Sequence, residues 1–208
     1  MRRLAVIFIV VALVGLTGFG VDRYLTQEAE RQASEYLSDR LGAPAVVELD
    51  GWPVSARLLG GTVPGVHVQS VGLEFGDVGI RRMDIAFRDV ELDWRAVNEA
   101  EGFDIRAGRG IYTAELDEQT LSDAADMPGG IRLGEGMLQV HAHGQMAEAI
   151  AAVETEGLQF RPIGAVPEGF ETVRVPLADL PQGMTVEQVR IVPGVLQISG
   201  SMTQLDLP

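Results

Sequence analysis

The sequence predicts an α+β chain that is mostly β: a long, curved, antiparallel sheet with bulges, wrapped on an N-terminal amphipathic helix and preceded by one transmembrane segment or signal. Three observations carry this. Residues 4–21 are almost wholly apolar, residues 22–41 carry apolar positions at helical spacing, and the remainder alternates with a period of two that slips by single residues.

In the first of these stretches, Arg2 and Arg3 precede a run from Leu4 to Val21 in which Thr17 is the clearly polar side chain. As a helix the run reaches about 27 Å, near the roughly 30 Å hydrocarbon core of a bilayer, so it can span as an anchor. Gly15, Gly18 and Gly20 also suit a cleaved signal, although the usual alanine pair before a cleavage site is missing. Under either reading the arginines stay inside, which places the chain from Asp22 onward outside the cytoplasm. The expected division is therefore a membrane anchor or signal at 1–21 and a single extracytoplasmic domain at 22–208.

Leu25, Ala29, Ala33, Tyr36 or Leu37, and Leu41 recur every three or four residues, and Gly42 and Pro44 end the pattern. The opposite face carries Glu28, Glu30, Glu35 and Asp39 beside Arg31 and Arg40, where a helix lying on anionic lipid carries a basic face. The stripe is expected to pack on protein.

Further along, Val66 and Val68 share one parity and Val71, Leu73 and Phe75 the other, so a strand is expected to change phase near Gln69 and Ser70. Met83, Ile85 and Phe87 alternate, and Val90, Leu92 and Trp94 continue on the opposite parity after Arg88 and Asp89. Such slips are the mark of β-bulges, which bend a strand and increase its twist. A run from Ile80 to Trp94 would reach roughly 50 Å, well beyond an ordinary strand. Further strands are expected at 103–116, 137–143, 158–163, 172–177, 186–192 and 195–207. Asp117 reads as the N-cap of a short helix through Ala125. Residues 146–155 favour helix by propensity and a return strand by their place between two turns, and we read them as strand.

Composition excludes several functions. With 16 basic and 30 acidic residues the net charge is −14, which opposes nucleic-acid binding. Without cysteine there is no thiolate nucleophile, disulfide or iron–sulfur cluster. There is no Walker loop, dinucleotide fingerprint, nucleophile elbow, zinc-protease motif or EF-hand. His141 and His143 are two apart on an expected strand, but no third ligand is nominated, and His67 stands alone. Glu91 and Asp93 alternate as the solvent face of a strand does. The chain is therefore expected to be no enzyme and to need no cofactor or metal.

The candidate binding residues are apolar. Val66, Val68, Met83, Ile85, Phe87, Val90, Leu92 and Trp94 would wall a cavity. Trp52, Val54, Leu58 and Leu59 form an apolar cluster that suits a cavity mouth, a membrane boundary or an ordinary core. Arg81, Arg82 and Arg88 could meet phosphate head groups, or could simply offset an acidic surface.

The N-terminal membrane segment, Glu30 and Ala33, Gly51-x-Pro53, Gly60, Asp89-Val90, the Leu180-Pro181-x-Gly183 turn and the final strand pair resemble, in order and spacing, the LmeA-type phospholipid-binding proteins of the actinobacterial cell envelope. The resemblance covers nearly all of Asp22 to Leu207. It implies a tubular lipid-binding type of fold enclosing acyl chains, outside the cytoplasm, with a role in envelope lipid or lipoglycan assembly and a possible envelope biosynthesis enzyme as partner. The chain departs from the family in carrying Val54 after the G-x-P motif, with its aromatic at Trp52. Two other readings stand beside it: an anchored scaffold that stabilises an envelope enzyme without holding lipid, and a hydrolase, for which a carboxylate pair or histidine dyad in a cleft is missing from the sequence.

Overall fold

The computed structural model describes residues 2–51, 62–75, 78–92, 105–106, 109–127, 130–142, 144–154, 157–164, 173–176 and 183–202, the side chains of 2–21, 62, 75, 91–92, 105–106, 142 and 176 excepted. The apolar and amphipathic stretches form one helix, α1 (Arg2–Leu41). Side chains of the expected anchor lie outside the described residues; among those described, no helix is long and apolar enough to cross a membrane.

Seven strands build a large antiparallel sheet: β1 (Ala45–Asp50), β2 (Thr62–Phe75), β3 (Val78–Leu92), β4 (Ile105–Arg106), β5 (Arg109–Asp117), β11 (Met184–Val192) and β12 (Val195–Met202). Their order is β1-β2-β3-β5-β12-β11, with β4 beside the end of β3. Five more form a second antiparallel sheet in the order β10-β9-β8-β7-β6: β6 (Ile131–Leu133), β7 (Leu138–Ala142), β8 (Gln145–Glu154), β9 (Gly157–Pro162) and β10 (Val173–Pro176). A short helix, α2 (Glu118–Ala124), joins the sheets, and Asp117 caps it by accepting from the Thr120 amide at 2.8 Å.

The long strands bend in concert. β2 and β3 hold one register throughout, but Pro64 and Asp89 drop out of the pairing together, and so do Gly72 and Arg81. Asp89 has φ 53° and Gly72 φ 73°, a region open to glycine and tolerated by aspartate. At each site both strands change parity, so the inward series on β3 runs Val78, Ile80, then Met83, Ile85, Phe87, then Val90. Because the slips coincide, the apolar face stays on one side while the ribbon bends. The slip expected at Arg88 and Asp89 is present. The one expected at Gln69 and Ser70 is displaced to Gly72, the residue able to adopt the left-handed conformation. Val71, expected inside, is therefore 56% exposed, whereas Ser70 is buried and donates to the Pro44 carbonyl at 2.9 Å.

Two large core clusters, with a small third around Val63, Ala29, Leu49 and Val66, lie among the described residues. In one, Leu37 of α1, with Ala33, Tyr36 and Leu41 beside it, packs on Val47, Val68, Met83, Ile85 and Phe87 of the large sheet. In the other, the inward face of the small sheet, including Leu138, Leu158 and Phe160, packs on Leu116, Leu196 and Ile198 of the large one. Leu25, first of the expected stripe, stays 44% exposed.

Glu30, expected on the solvent face of the helix, instead faces the edge of the sheet. Its Oε1 accepts from the Leu49 amide at 3.0 Å, the Ser34 hydroxyl accepts from Val47 at 2.9 Å, and the Ser38 hydroxyl accepts from Ala45 at 2.9 Å. Every second amide of β1 is closed by every fourth residue of α1. The small sheet repeats the device: Glu118 of α2 accepts from Leu133 at 2.7 Å and Ser122 from Ile131 at 3.1 Å.

We expect Ser122→Ala, which leaves a buried amide without its acceptor, to cost about 1–3 kcal/mol in urea unfolding, and Ser34→Ala somewhat less because its surroundings are half-buried. Glu30→Gln, which keeps a carbonyl acceptor, should cost under about 1 kcal/mol. A Cβ on Gly200 would lie 1.8 Å from the Thr185 carbonyl oxygen, so Gly200→Ala should destabilise by about 3 kcal/mol or more in the same assay.

Candidate functional site

Most of the apolar residues picked out by alternation come together under α1. Val68, Met83, Ile85, Phe87 and Val90 are buried in one cluster and Val66 is half-buried against it. They are covered by helix side chains. The Leu92 side chain, Trp94, Trp52, Val54, Leu58 and Leu59 lie outside the described residues. The strand ends flanking them, Asp50 with Thr62 and Leu92 with Ile105, sit at the end of the sheet nearest the N-terminal half of α1, since β1 runs antiparallel to the helix.

The three arginines are all exposed and on different footings. Arg82 is engaged by Asp84, with Nε 2.9 Å and Nη2 3.2 Å from its carboxylate oxygens. Arg81 occupies the position where pairing with β2 lapses, and Arg88 stands directly opposite Arg109 of β5. His141 is exposed and His143 lies outside the described residues. His67 Nε2 meets Asp50 Oδ2 at 2.9 Å on the surface. No group of three or more metal-ligating side chains occurs among the described residues.

Two concavities differ sharply in chemistry. On the outer face of the large sheet a groove of about 340 Å³ is lined by His67, Gln69, Asp84, Thr113, Glu187 and Ser199, with Ala86 and Ile111 between them. Its two carboxylates repel an anionic lipid, and its polar floor offers little to an acyl chain. On the inner face, where the two core clusters meet, lies a gap lined wholly by Val78, Ile80, Tyr112, Ala114, Leu116, Met184 and Ile198. It holds about 10 Å³, the threshold for a single water. The larger cavity has the wrong chemistry for hydrocarbon, and the smaller one has the right lining, all of it from the large sheet, at the seam where the core under α1 meets the core under the small sheet.

Tyr112 borders both. Its ring covers Gly200, where a Cβ would lie 3.1 Å from Cε1, and its hydroxyl donates to the Thr185 carbonyl at 3.3 Å. That bond ties β5 across β12 to the first residues of β11, beside Met184. Burial, reinforced by the negative charge of Glu187, pushes the phenol up to about 12. Alternation did not nominate Tyr112, Ala114, Leu116 or Ile198 as site residues, because nothing in a strand's own pattern says which body its inward face will meet. Met184 carried a usable signal, an unbranched and adaptable side chain beside a turn at a strand start.

A model of the LmeA-like phospholipid-binding family matches residues 16–201. The chain belongs to this family. The match begins inside the apolar run, crosses both sheets and ends one residue short of the end of β12, so both large core clusters, Met202 excepted, fall within the LmeA-like region. Comparisons with curated proteins and with solved structures give no significant match.

Because the Tyr112 phenol ionises later in the folded state than in the unfolded one, its contribution to stability is complete below pH 10 and is lost as pH rises towards about 12. Ultraviolet titration should show one late tyrosinate step that Tyr112→Phe removes, and the variant should show a shallower alkaline loss of stability.

Proposed function

We propose that the chain is a non-enzymatic phospholipid-binding protein of the cell envelope, held at the extracytoplasmic face of the membrane by residues 1–21, and that it takes an acyl chain into the apolar seam on the inner face of the large sheet, between the part that α1 covers and the part that the small sheet covers. Membership of a phospholipid-binding family supports the lipid, and the wholly apolar lining of the seam supports the place. Each methylene buried contributes about 0.8 kcal/mol, so part of one chain suffices for useful affinity. Entry requires the seam to widen, since its present volume is far below the few hundred Å³ of a ligand pocket. Met184, Met83 and Met202 supply side chains that repack at small cost.

The residues nominated from the sequence take two roles in this reading. Val68, Met83, Ile85, Phe87 and Val90 extend the apolar wall away from the seam under α1, and exposed arginines meet the head group. Support of envelope lipid or lipoglycan assembly is the role this binding would serve. The alternative, an anchored scaffold for an envelope enzyme, draws on the close packing beneath α1.

Native mass spectrometry with lipid extraction on the full chain, purified from its natural membranes, separates the two. We expect co-purifying phospholipid, and we expect Ala114→Leu, which fills the seam at about 1–3 kcal/mol of overpacking, to lower lipid occupancy several-fold while the protein stays folded by circular dichroism. A bare polypeptide that takes up no added phospholipid would leave the scaffold reading standing.

A further inference from the structure

The level of each sheet residue relative to the start of the domain follows from the helix-to-edge ladder. Glu30 meets Leu49, so Asp50 lies one residue nearer the N-terminal half of α1. Asp50, Gly65, Arg88 and Arg109 are paired in one row across four strands. By helix rise this row stands roughly 10 Å from Val21, where the apolar run ends. One unbroken helix, Arg2–Leu41, carries the run into the domain, and Asp22 at the end of the run is 4% exposed, so no flexible spacer separates the two. Within the interval Tyr24 is 68% and Leu25 44% exposed, the amphipathic and apolar side chains that favour a membrane–water interface.

Arg88 and Arg109 are the described cross-strand pair in which two cations face each other, an arrangement that is unfavourable unless an anion lies between them. In a chain of net charge −14 they nevertheless have no ion pair among the described residues, whereas Arg31, Arg82 and Arg161 each have a carboxylate. Two guanidinium forks on adjacent strands match the oxygens of a phosphate diester. Head groups extend roughly 5–8 Å beyond the hydrocarbon, and a long arginine side chain spans the remaining distance to this row.

We propose that the end of the large sheet from which α1 runs back into the apolar segment rests on the bilayer, with Arg88 and Arg109 together binding lipid phosphate. This rests on the reading of residues 1–21 as a membrane anchor. It is separate from whether an acyl chain enters the seam. It gives the domain one orientation, with the β11–β12 turn at Pro193 and Gly194 pointing away from the membrane.

The absence of cysteine allows clean single-site labelling. The full chain, carrying a fluorophore at Ile111→Cys or at Pro193→Cys, is placed in nanodiscs of phosphatidylcholine and phosphatidylglycerol containing a lipid with a head-group quencher. Ile111 is exposed one outward position beyond Arg109, and Pro193 is exposed at the far turn. We expect quenching several-fold stronger at 111 than at 193, and a marked loss at 111 in R88Q/R109Q but not in R174Q, a change on the small sheet. Equal quenching at the two positions, or no response to the double substitution, overturns the proposal. Native mass spectrometry of the full chain purified in detergent, apart from the nanodiscs, keeps the outcomes apart: bound phospholipid without differential quenching sinks the docking and leaves lipid binding intact, and differential quenching without bound phospholipid does the reverse.

Discussion

The row of side-chain acceptors that α1 presents to the edge of β1 fixes where everything else lies. An edge strand carries amides with no partner, and an uncovered one is a template for pairing with another chain. Here Glu30, Ser34 and Ser38 close three of them. The spacing works because four helical residues rise about 6.0 Å and two strand residues about 6.6 Å, so acceptors at i, i+4 and i+8 stay level with alternate amides for a few rungs before drifting. Serine is short enough to let the helix approach the strand closely. Its hydroxyl also donates to the helix carbonyl one turn back, Ser34 to Glu30 and Ser38 to Ser34, so neither polar atom is stranded. With the helix edge pinned, Leu37 and its neighbours have one face left to bury, the curved inner face of β2 and β3.

The same geometry recurs where α2 meets β6, and the recurrence accounts for two cores. Each helix leads into an antiparallel meander whose first strand it caps, α1 into β1-β2-β3 and α2 into β6-β7-β8-β9. Each meander therefore carries its own helix on its own edge. The small sheet must still bury its inward face, and it does so on the part of the large sheet that α1 does not reach, around Leu116, Leu196 and Ile198. Where the two coverings meet, neither fills the space, and the gap beneath Tyr112 is the result.

Much of this was legible in the sequence and some was not, for identifiable reasons. The helical stripe, the Asp117 cap and the slip at Arg88 and Asp89 each rest on local signals, spacing or a side chain able to bond its own backbone. The slip in β2 was placed too early because Val71, Leu73 and Phe75 share a parity, and nothing in that alternation reveals that Gly72 takes a positive φ and turns Val71 outward. β6 is three residues long, too short for period two to register. Glu30, Ser34 and Ser38 look like an ordinary polar helix face, since bonding to a strand edge and bonding to water call for the same residue types. The seam depends on which strands end up facing each other, a non-local outcome that no single stretch encodes.

For an acyl chain to enter this seam, the balance turns on what is lost when the bodies part. Separating apolar surfaces is costly in water, but surfaces re-covered by hydrocarbon recover most of that cost. What hydrocarbon cannot replace is polar, and the described bond that joins the two sheets is the Gly194 amide to the Leu133 carbonyl at 3.1 Å, the Tyr112 to Thr185 bond lying within the large sheet. A neutral hydrogen bond of this kind contributes about 0.5–1.5 kcal/mol, which one or two buried methylenes at about 0.8 kcal/mol each offset. The ladders on α1 and α2 lie on the far edges of their sheets and need not break. A seam closed mainly by apolar contact, with one described backbone hydrogen bond across it, yields to hydrocarbon far more readily than to water.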